Sequence, residues 1–522
     1  MNGIPSMPKT FAFIQARTGS SRLPGKVLYP LPENSNTSLL CHIFYRLQKV
    51  LPLAQIVLLI PEGDSQLKEY AKSKGYLYFE GSENNVRERY LQAALHFHAE
   101  LILRLTGDNP FIDIEHISLL LEAFQNSEVE IASFEGLPLG IGIEAFTLSG
   151  LQREPSGGFL DRHNEHVSLH MKEKEGEYNF LKLQALLTEE EIEISNKLRL
   201  TIDEKKDYEF SSQLLSKFDD IFSFSLQDIF SLYRSNPNFF TYNQTVQQIS
   251  FSVNSKKAYT GSIFLLYADP KLYGSGHYER CKLLLIQLQS RFYRVQMSHT
   301  LPDKQDYDLL IVDHRDYIIP DKFRNLKILL LDNFGPDRKY YNHFDILPHP
   351  QVSFEESLQN LLLPACATLF ERKDKGRNNI FCYSGNMGEE VIRLDEWILQ
   401  NFSAFSYTRI GDFPPKSDTV LYCKRISKLE YFNNLSNCSF FISYFGQSAL
   451  EALYYGKKPM LFSISEYHKE LTLFLESNNA CIYIGDIHRT LSIPIISNSS
   501  HPIPSGEGFT RLLTCIDKIL KV

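Results

Sequence analysis

The amino-acid sequence predicts an α/β protein built on largely parallel sheets. Short apolar runs alternate with amphipathic stretches of helical period, and this alternation is typical of parallel strands covered by helices on both faces. The alternation stops in a polar stretch near 235–260 and then begins again. With 522 residues the chain also exceeds what one hydrophobic core supports, so we expect two or three domains.

The first segment holds four predicted strands with helices between them. The strands are predicted at 11–15, 55–60, 77–79 and 101–105, and the helices at 38–50, 64–74 and 83–98. Gly75 directly follows the second helix, a position where glycine commonly ends a helix. Because ligands of such sheets bind at the carboxyl ends of the strands, the loops after 15 and 105 are candidate binding loops.

The second segment shows the same pattern again. Its strands are predicted at 262–268, 308–313, 327–332, 379–383, 419–423, 440–444 and 458–462. A charged stretch at 371–379 is a candidate hinge between two subdomains. The predicted organisation is a domain at 8–235, a linker at 236–260 and a domain at 261–522, the last with subdomains at about 261–370 and 376–522.

The composition argues against several classes of protein. A net charge of -8 disfavours binding along the phosphate backbone of DNA or RNA. The eight cysteines include no C-x-x-C pair, which disfavours both a zinc site and a disulfide framework. The sequence shows neither signal-peptide anatomy nor an apolar run long enough for a membrane span, so we expect a cytoplasmic protein.

The loop at 15–26, after the first predicted strand, is a candidate phosphate site. Its glycines allow backbone N–H groups to approach an anion closely, and Arg17, Arg22 and Lys26 can neutralise a triphosphate. A solvated basic loop is the plain alternative. The position directly after a buried strand favours the phosphate site.

Two aspartates follow apolar stretches elsewhere in the first segment. Asp108 comes just after the strand at 101–105, and Asp203 ends the run Leu200–Ile202. Either one alone could simply cap a helix or a turn. Together with a triphosphate they could hold Mg²⁺, which takes oxygen ligands and favours phosphate oxygens.

Several segments within 10–235 follow the order of a known family. They read IQARTGSSRLPGKVL at 14–28, FEGSENNVRERYLQAA at 79–94, LRLTGDNPFID at 103–113, GIGIEAF at 140–146, NEHVSLH at 164–170 and RLTIDEKKDY at 199–208. This set resembles the cytidylyltransferase superfamily, most closely its SpsF-like branch. The resemblance implies a GT-A-like, Rossmann-related fold and the transfer of a nucleotidyl group, usually CMP, to a sugar hydroxyl.

The same resemblance implies roles for individual residues. Contacts to the nucleotide would come from Gln15, Ala16, Arg17, Gly19, Ser20, Arg22 and Lys26. Arg17 and Lys26 would act in catalysis, and Asp108 and Asp203 would hold Mg²⁺, the predicted cofactor. The sugar would lie near Glu144, Glu165 and His166. The predicted substrates are CTP or another nucleoside triphosphate and a sugar or sugar acid, with a nonulosonic acid for surface glycan synthesis as the expected sugar.

The second segment carries two glycine-containing loops, each between a strand and a helix. The first, 273–281, contains His277 where a helix begins, and a neutral imidazole there could act as a general base on water. A lone histidine could equally cap the helix. The second loop begins at Gly446, and Glu451 one turn further on could bond a ribose diol or be an ordinary first-turn glutamate.

These loops stand among further segments with a family resemblance. The segments read YGSGHYERCKLLLIQL at 273–288, YDLLIVDH at 307–314, ILLLDN at 328–333, CYSGNMG at 382–388 and SNCSFFISYFGQSALEALYYGKKPMLF at 436–462. They resemble the PseG-like UDP-sugar hydrolases, which are GT-B relatives with two Rossmann-like subdomains. By this resemblance His277 would activate water against a UDP-sugar. Contacts to UDP would come from Gly276, Gly446, Gln447, Ser448 and Glu451.

Two departures from that family keep alternatives open for the second domain. They lie at Ser384–Asn386 and at Tyr467–His468. The domain could instead be a glycosyltransferase, or a module that binds a sugar nucleotide without turnover. Analysis of the reaction products distinguishes these alternatives. Assembly of the chain as a homodimer is a further open possibility.

Overall fold

The computed structural model describes residues 8–243, 259–303, 306–372, 378–494 and 500–521, apart from positions 21, 126 and 175. The chain forms two compact units whose described residues are 8–243 and 259–521. None of the helices in these ranges combines the length and the apolar character that a membrane span requires.

The first unit is built on a seven-stranded mixed sheet. Its strands are β1 (Thr10–Gln15), β2 (Ile56–Pro61), β3 (Leu77–Gly81), β4 (Leu101–Thr106), β5 (Ile131–Glu135), β6 (Glu144–Thr147) and β7 (Phe180–Gln184). They are arranged in the order β3-β2-β1-β4-β6-β5-β7. All neighbours pair in parallel except β6, which is antiparallel to both β4 and β5.

Helices cover this sheet and explain its apolar strands. They are α1 (Leu39–Leu47), α2 (Ser65–Lys74), α3 (Val86–Phe97), α4 (Ile114–Glu122), α5 (Leu148–Gln152), α6 (Asp161–Glu165), α7 (Leu169–Glu173), α8 (Glu189–Ser195), α9 (Lys205–Leu215) and α10 (Leu226–Ser235). β1, β2 and β4 are buried along most of their length, as strands covered on both faces must be. Gly75 ends α2 with a φ of 67°, as predicted.

The start of the predicted linker at 236–260 belongs to the first unit. Phe240 is buried, with its ring centroid 5.7 Å from that of Phe210. The buried Asn243 amide donates to the Arg199 carbonyl at 3.1 Å. The aromatic and amide side chains of this stretch therefore pack, although its polar composition predicted a linker. Positions 244–258 lie outside the described residues.

The second unit begins with a five-stranded parallel sheet. Its strands are β8 (Gly261–Tyr267), β9 (Tyr293–Ser298), β10 (Leu309–Asp313), β11 (Lys327–Leu331) and β12 (Asn342–Phe344), and its helices are α11 (Pro270–Tyr273), α12 (Gly276–Gln289) and α13 (Phe354–Leu358). The strand order is β12-β11-β10-β8-β9. The order reverses between β8 and β10, and such a switch point leaves a crevice at the carboxyl ends of the two strands.

A six-stranded parallel sheet follows. Its strands are β13 (Asn379–Gly385), β14 (Ser406–Gly411), β15 (Val420–Cys423), β16 (Phe440–Tyr444), β17 (Met460–Ser463) and β18 (Ile482–Asp486). Its helices are α14 (Val391–Asn401), α15 (Lys428–Asn437), α16 (Gln447–Tyr454) and α17 (Glu466–Ser477), and α18 (Gly508–Lys521) ends the chain. The order β15-β14-β13-β16-β17-β18 reverses between β13 and β16.

The last helix returns to the first sheet of this unit. Lys327 of β11 donates to the Leu520 carbonyl at 3.2 Å, and Arg291 pairs with Asp517 at 2.8 Å. The predicted subdomain at 376–522 therefore ends before α18, because the apolar face of this helix packs on the neighbouring sheet.

Candidate active site

A polar cavity of about 400 Å³ opens in the first unit where β1 and β4 end. Its walls come from the loop after β1, the start of α3, the loop after β4 and the segment before α9. Among the predicted site residues, those that line it are Gln15, Ala16, Arg17, Ser20, Arg22, Lys26, Asp108, Glu165 and Asp203. Gly19, Glu144 and His166 do not line it.

The basic loop is shaped by its own backbone and by one distant carboxylate. Ser20 and Gly25 both donate backbone N–H groups to the Thr18 carbonyl at 2.9 Å. The Asp64 carboxylate, which also caps α2, accepts from the N–H and the hydroxyl of Thr18 at 2.9 and 3.0 Å. Gly25 then adopts a φ of 69° and starts a short 3-10 helix that buries Lys26. The sequence pattern gave no signal for the role of Asp64.

The Lys26 ammonium joins the two aspartates singled out in the sequence. It lies 3.1 Å from an oxygen of Asp108 and 3.1 Å from an oxygen of Asp203, and it donates to the Ile202 carbonyl at 2.6 Å. The Ile202 N–H in turn donates to the Asp108 carbonyl at 2.9 Å. The two carboxylates therefore converge on one cation at the cavity floor.

Asp203 lies in a strongly cationic setting. Besides Lys26, it pairs with Arg22 at 3.0 Å and with Arg199 at 3.0 Å. Burial by itself would raise the pKa of Asp203, but these three positive charges outweigh it and hold the pKa below its ordinary value. Asp207 is fully buried and pairs with Arg199 at 2.9 Å. It therefore positions the Arg199 side chain and does not itself line the cavity. Asp203 is therefore an ionised carboxylate at neutral pH.

Glu144 belongs to a buried ion-pair cluster beside the cavity. Its carboxylate contacts Lys172, pairs with Arg104 at 2.9 Å and accepts from the Ser168 hydroxyl at 2.6 Å. Burial by itself would raise the pKa of the Glu144 carboxyl, but the positive charges of Lys172 and Arg104 outweigh burial and lower the pKa to about 2. Arg104 also donates to the side chain of Gln15 at 3.2 Å. Glu144 thus connects to the cavity through Arg104.

The other two predicted sugar residues lie at the end of α6. Glu165 lines the cavity, whereas His166 is exposed. The cavity is also lined by Glu83, Asn84 and Arg89, which lie just before α3 or within it. Residues 79–94 resembled the family as a block, but nothing in the local pattern singled out these three side chains.

Comparisons with known proteins find relatives of the first half of the chain. The family model described as Cytidylyltransferase matches residues 11–253. An uncharacterized protein of Methanocaldococcus jannaschii is 31% identical over 245 residues, which cover 47% of this chain and 98% of that protein. The spore coat polysaccharide biosynthesis protein SpsF of Bacillus subtilis is 33% identical over 233 residues, covering 43% of this chain and 94% of that protein.

The chain belongs to the cytidylyltransferase family. A 3-deoxy-manno-octulosonate cytidylyltransferase of Porphyromonas gingivalis is a more partial match, 30% identical over 129 residues, which cover 24% of this chain and 48% of that protein. The cytidylyltransferase family model thus extends over the whole sheet of the first unit and includes its cavity.

The second unit of this cytidylyltransferase brings together a separate cluster at the β8–β10 switch point. Nδ1 of His277, in the first turn of α12, lies 2.7 Å from a carboxylate oxygen of Asp313 at the end of β10. Arg280 binds the other oxygen of Asp313 at 3.0 Å and reaches Asp332 at 2.7 Å. Asp313 is fully buried, whereas the His277 side chain keeps 15% of its surface exposed.

The charge of Asp313 bears on the tautomer of His277. Burial by itself would raise the pKa of Asp313, but the positive charges of Arg280 and His277 outweigh burial and lower it to about 2. An ionised carboxylate can only accept, so the 2.7 Å contact with Asp313 favours a proton on Nδ1 of His277, while the Arg280 guanidinium, a donor, lies farther from Nδ1 at 3.1 Å. In the tautomer favoured by Asp313, Nε2 has the free lone pair.

The Gly446 loop lies at the switch point of the other sheet, between β13 and β16. Gly446 directly precedes α16, and the Ser448 hydroxyl lies 3.3 Å from that of Ser443. The amide of Gln447 donates to Glu451 at 3.1 Å. Glu451 is buried, and burial raises the pKa of its carboxyl. Gly276, the remaining predicted contact, is the exposed first residue of α12.

The segments around these two loops touch each other. Lys428 at the start of α15 pairs with Glu279 of α12 at 3.3 Å. The Arg315 guanidinium, just after β10, lies 4.6 Å from the centre of the Tyr467 ring in α17. These contacts join helices beside the second sheet to residues that lie two positions from His277 and from Asp313 in the sequence.

Proposed function

We propose that the first unit transfers CMP from CTP to the anomeric hydroxyl of a sugar acid and releases pyrophosphate. The observation that carries this proposal is the convergence of Lys26, Asp108 and Asp203 at the floor of a cavity walled by a basic loop. A cavity of about 400 Å³ falls in the usual size range of small-molecule sites.

In the proposed reaction the anomeric oxygen attacks the α-phosphorus of CTP. A P–O bond to the sugar forms, the P–O bond to the bridging oxygen of the β-phosphate breaks, and pyrophosphate leaves with that electron pair. The hydroxyl proton passes to solvent. Arg17, Arg22 and Lys26 offset the charge that develops on the leaving pyrophosphate, which is the main catalytic demand of such transfers.

The residues around Lys26 fit a divalent cation. Asp108 and Asp203 offer hard oxygen ligands, and the ammonium bonded to both shows that a positive charge is already held between them. No group of three or more His, Cys, Asp or Glu side chains within the described ranges is arranged to hold a metal. Mg²⁺ suits a site with few protein ligands, because it takes the rest from phosphate and water. When bound, it would neutralise charge at the α-phosphate.

A nonulosonic acid is the proposed sugar substrate, for assembly of a surface polysaccharide or glycan. Two similarities support a sugar acid and a role in polysaccharide assembly: the Porphyromonas relative is named for an eight-carbon sugar acid, and the Bacillus relative for coat polysaccharide synthesis. The cavity is lined by four basic and four acidic side chains, and the basic ones can contact the negative charges of a sugar acid and a triphosphate.

The test is pyrophosphate release by the full chain with CTP, Mg²⁺ and a panel of 2-keto sugar acids. We expect the CMP-sugar to appear with one panel member, and Asp203→Asn to lower kcat about 100-fold or more. Asp219→Asn, at an exposed position, is the matched control and should keep the wild-type rate. No turnover by the wild type with any panel member, or an unchanged rate in Asp203→Asn, contradicts the proposal.

We further propose that the second unit hydrolyses a UDP-sugar. The arrangement that favours this is the buried Asp313, which holds Nδ1 of His277 and leaves Nε2 as the base. In this reaction Nε2 takes a proton from water, the water oxygen bonds to C1 of the sugar, and the C1–O bond to UDP breaks. UDP leaves with the bonding electrons and the free sugar is released.

Incubation with UDP-N-acetylhexosamines and analysis of the products tests this second function. Free sugar and UDP are expected, with a loss of about 100-fold or more in both His277→Gln and Asp313→Asn. His343→Gln, at an exposed position of β12, serves as the control. Transfer of the sugar to an acceptor would instead indicate a glycosyltransferase, and UDP binding without turnover would indicate a binding module.

A further inference from the structure

Arg89 is a buried cation in the cavity wall that the proposed chemistry has not used. It lies in the first turns of α3, is only 4% exposed, and lines the cavity. Its stem packs against Gly81, where a Cβ atom would lie 3.0 Å from the Arg89 Cγ. Its Nε atom is buried and has no hydrogen-bond partner among the described residues.

Among the buried arginines of the first unit, Arg87 shares this lack of a partner at Nε, whereas Arg46 and Arg199 do not. The Nε atom of Arg46 donates to the Ile112 carbonyl at 2.8 Å, and that of Arg199 donates to Asp207 at 2.9 Å. A buried N–H group without an acceptor costs free energy, and the cost is larger when the group is charged. Arg89 also lines the cavity, so a ligand bound there can bring an acceptor to its guanidinium group.

The missing partner is an anion. Burial lowers the pKa of Arg89 and the charge of Arg17, which lines the same cavity, lowers it further, whereas Glu83 acts in the opposite sense; the net lowering favours the arrival of negative charge. Arg22 and Lys26 already pair with Asp203 within the proposed triphosphate site. Arg89 belongs to a different element from these two residues. Its guanidinium is planar and carries several N–H donors, an arrangement that can bond the two oxygens of a carboxylate.

We propose that Arg89 binds the carboxylate of the acceptor sugar and thereby selects sugar acids over neutral sugars. This inference rests on the proposed cytidylyl transfer, since it names the group that the acceptor must carry. Arg89 is then a specificity residue, and its loss affects recognition of the sugar acid and leaves CTP binding intact.

Calorimetric titration of the full chain tests the proposal without turnover. The protein is saturated with CTP in EDTA and titrated with N-acetylneuraminate, with 3-deoxy-manno-octulosonate, and with the methyl ester of each acid. The wild type should bind at least one acid about 10- to 100-fold more tightly than its ester, the range expected for a charged bidentate hydrogen bond. Arg89→Gln should lose that preference while its Kd for CTP stays within about twofold of wild type.

Two further variants separate recognition from folding. Arg87→Gln is the matched control, because Arg87 is also buried and also lacks a partner at Nε, yet it stacks 3.7 Å from the Phe159 ring and does not line the cavity. This control should keep the preference for the acid. Arg89→Lys keeps the charge and the stem, so it should fold and recover only part of the preference.

Several outcomes would overturn the proposal. They are a wild type that binds neither acid more tightly than its ester, an Arg89→Gln variant that keeps the preference, and an Arg89→Gln variant whose main defect is CTP binding. The last result would assign Arg89 to the triphosphate. Pyrophosphate release is measured in parallel. If the protein shows an Arg89-dependent preference for the acid over its ester but no turnover, the proposed transfer is overturned and the role of Arg89 is not.

Discussion

Lys26 is buried because oxygen atoms on three sides offset the cost of removing its charge from water. The carboxylates of Asp108 and Asp203 and the carbonyl of Ile202 all lie within 3.1 Å of its ammonium. A buried charge that loses one partner is strongly destabilising, whereas the complete set is tolerated. An incoming triphosphate can replace these partners without leaving the lysine unpaired, which suits a residue that must bind and release phosphate.

The Glu144 carboxylate predicts how the stability of the first unit depends on pH. Its pKa lies near 2, below the ordinary 4.5, because Lys172 and Arg104 outweigh the effect of burial. A lowered pKa stabilises the fold above the ordinary value, and that stabilisation is lost as the pH falls towards 2. Glu144→Gln should therefore lower the free energy of unfolding of the first unit by roughly 3 kcal/mol at pH 7 and by less at pH 3.5.

Urea unfolding at the two pH values measures this difference. Glu69→Gln, on the exposed side of α2, is the control and should leave stability nearly unchanged at both. An equal loss at pH 7 and pH 3.5 in Glu144→Gln would mean that the ionised carboxylate is not what stabilises the cluster.

At the scale of elements, one close approach sets the position of the segment that carries Asp203. The Leu200 N–H donates to the Leu139 carbonyl at 2.8 Å, so the turn after β5 lies directly on this segment. Gly140 in that turn has a φ of 93°, and a Cβ atom there would lie 2.3 Å from the Thr201 nitrogen. Only glycine fits, because both the backbone angle and the neighbouring backbone exclude a side chain.

Gly140→Ala should therefore displace the Asp203 segment. We expect a loss of about 2–4 kcal/mol in the stability of the first unit and a drop in pyrophosphate release, since Asp203 leaves Lys26. Gly142→Ala is the matched control: its Cβ would meet nothing within 4 Å and its φ is not positive, so its stability and rate should stay close to wild type. Equal effects in the two variants would exclude the close approach as the cause.

The whole molecule consists of two units, each with its own sheets and its own candidate site. Because the candidate ligands differ, each should stabilise only the unit that binds it. Scanning calorimetry of the full chain should resolve two transitions, of which CTP with Mg²⁺ raises one and UDP raises the other. At a ligand concentration about 100 times Kd the expected stabilisation is about 2.7 kcal/mol.

UTP with Mg²⁺ and CMP are the control ligands for this experiment. A single transition that both CTP and UDP raise equally would contradict the assignment of one nucleotide to each unit.

Sequence patterns predicted several strands that consist of a short continuous apolar run. β1, β8, β10 and β16 were placed to within about a residue, because a short continuous apolar run is the signature of a covered parallel strand. β5, β6, β7, β9, β12, β14 and β18 were missed. β9 alternates buried and exposed residues and β12 is a short edge strand, so neither carries a continuous apolar run.

Several residues of the candidate sites could be predicted from the sequence in the same way. The basic loop, the two aspartates and His277 each follow a predicted strand or an apolar run, where a parallel sheet gathers its functional loops. Asp64, Arg89 and Asp313 were not singled out as individual residues. Asp64 and Asp313 act through partners that are remote in the chain, Thr18 and His277, and the role proposed for Arg89 depends on a ligand. The local periodicity of a sequence does not indicate such partners.

By itself, then, the amino-acid sequence determined which residue types stand at the ends of which strands, because strand and helix periods are local properties. Only the tertiary structure decided that Lys26 meets Asp203, 177 positions away, and that His277 meets Asp313, 36 positions away. The physical reason is packing between elements. The strand order brings the ends of β8 and β10 together, and backbone hydrogen bonds from Leu200 to Leu139 and from Ile202 to Asp108 hold the Asp203 segment beside β4. Neither arrangement is set by the pattern within any one element.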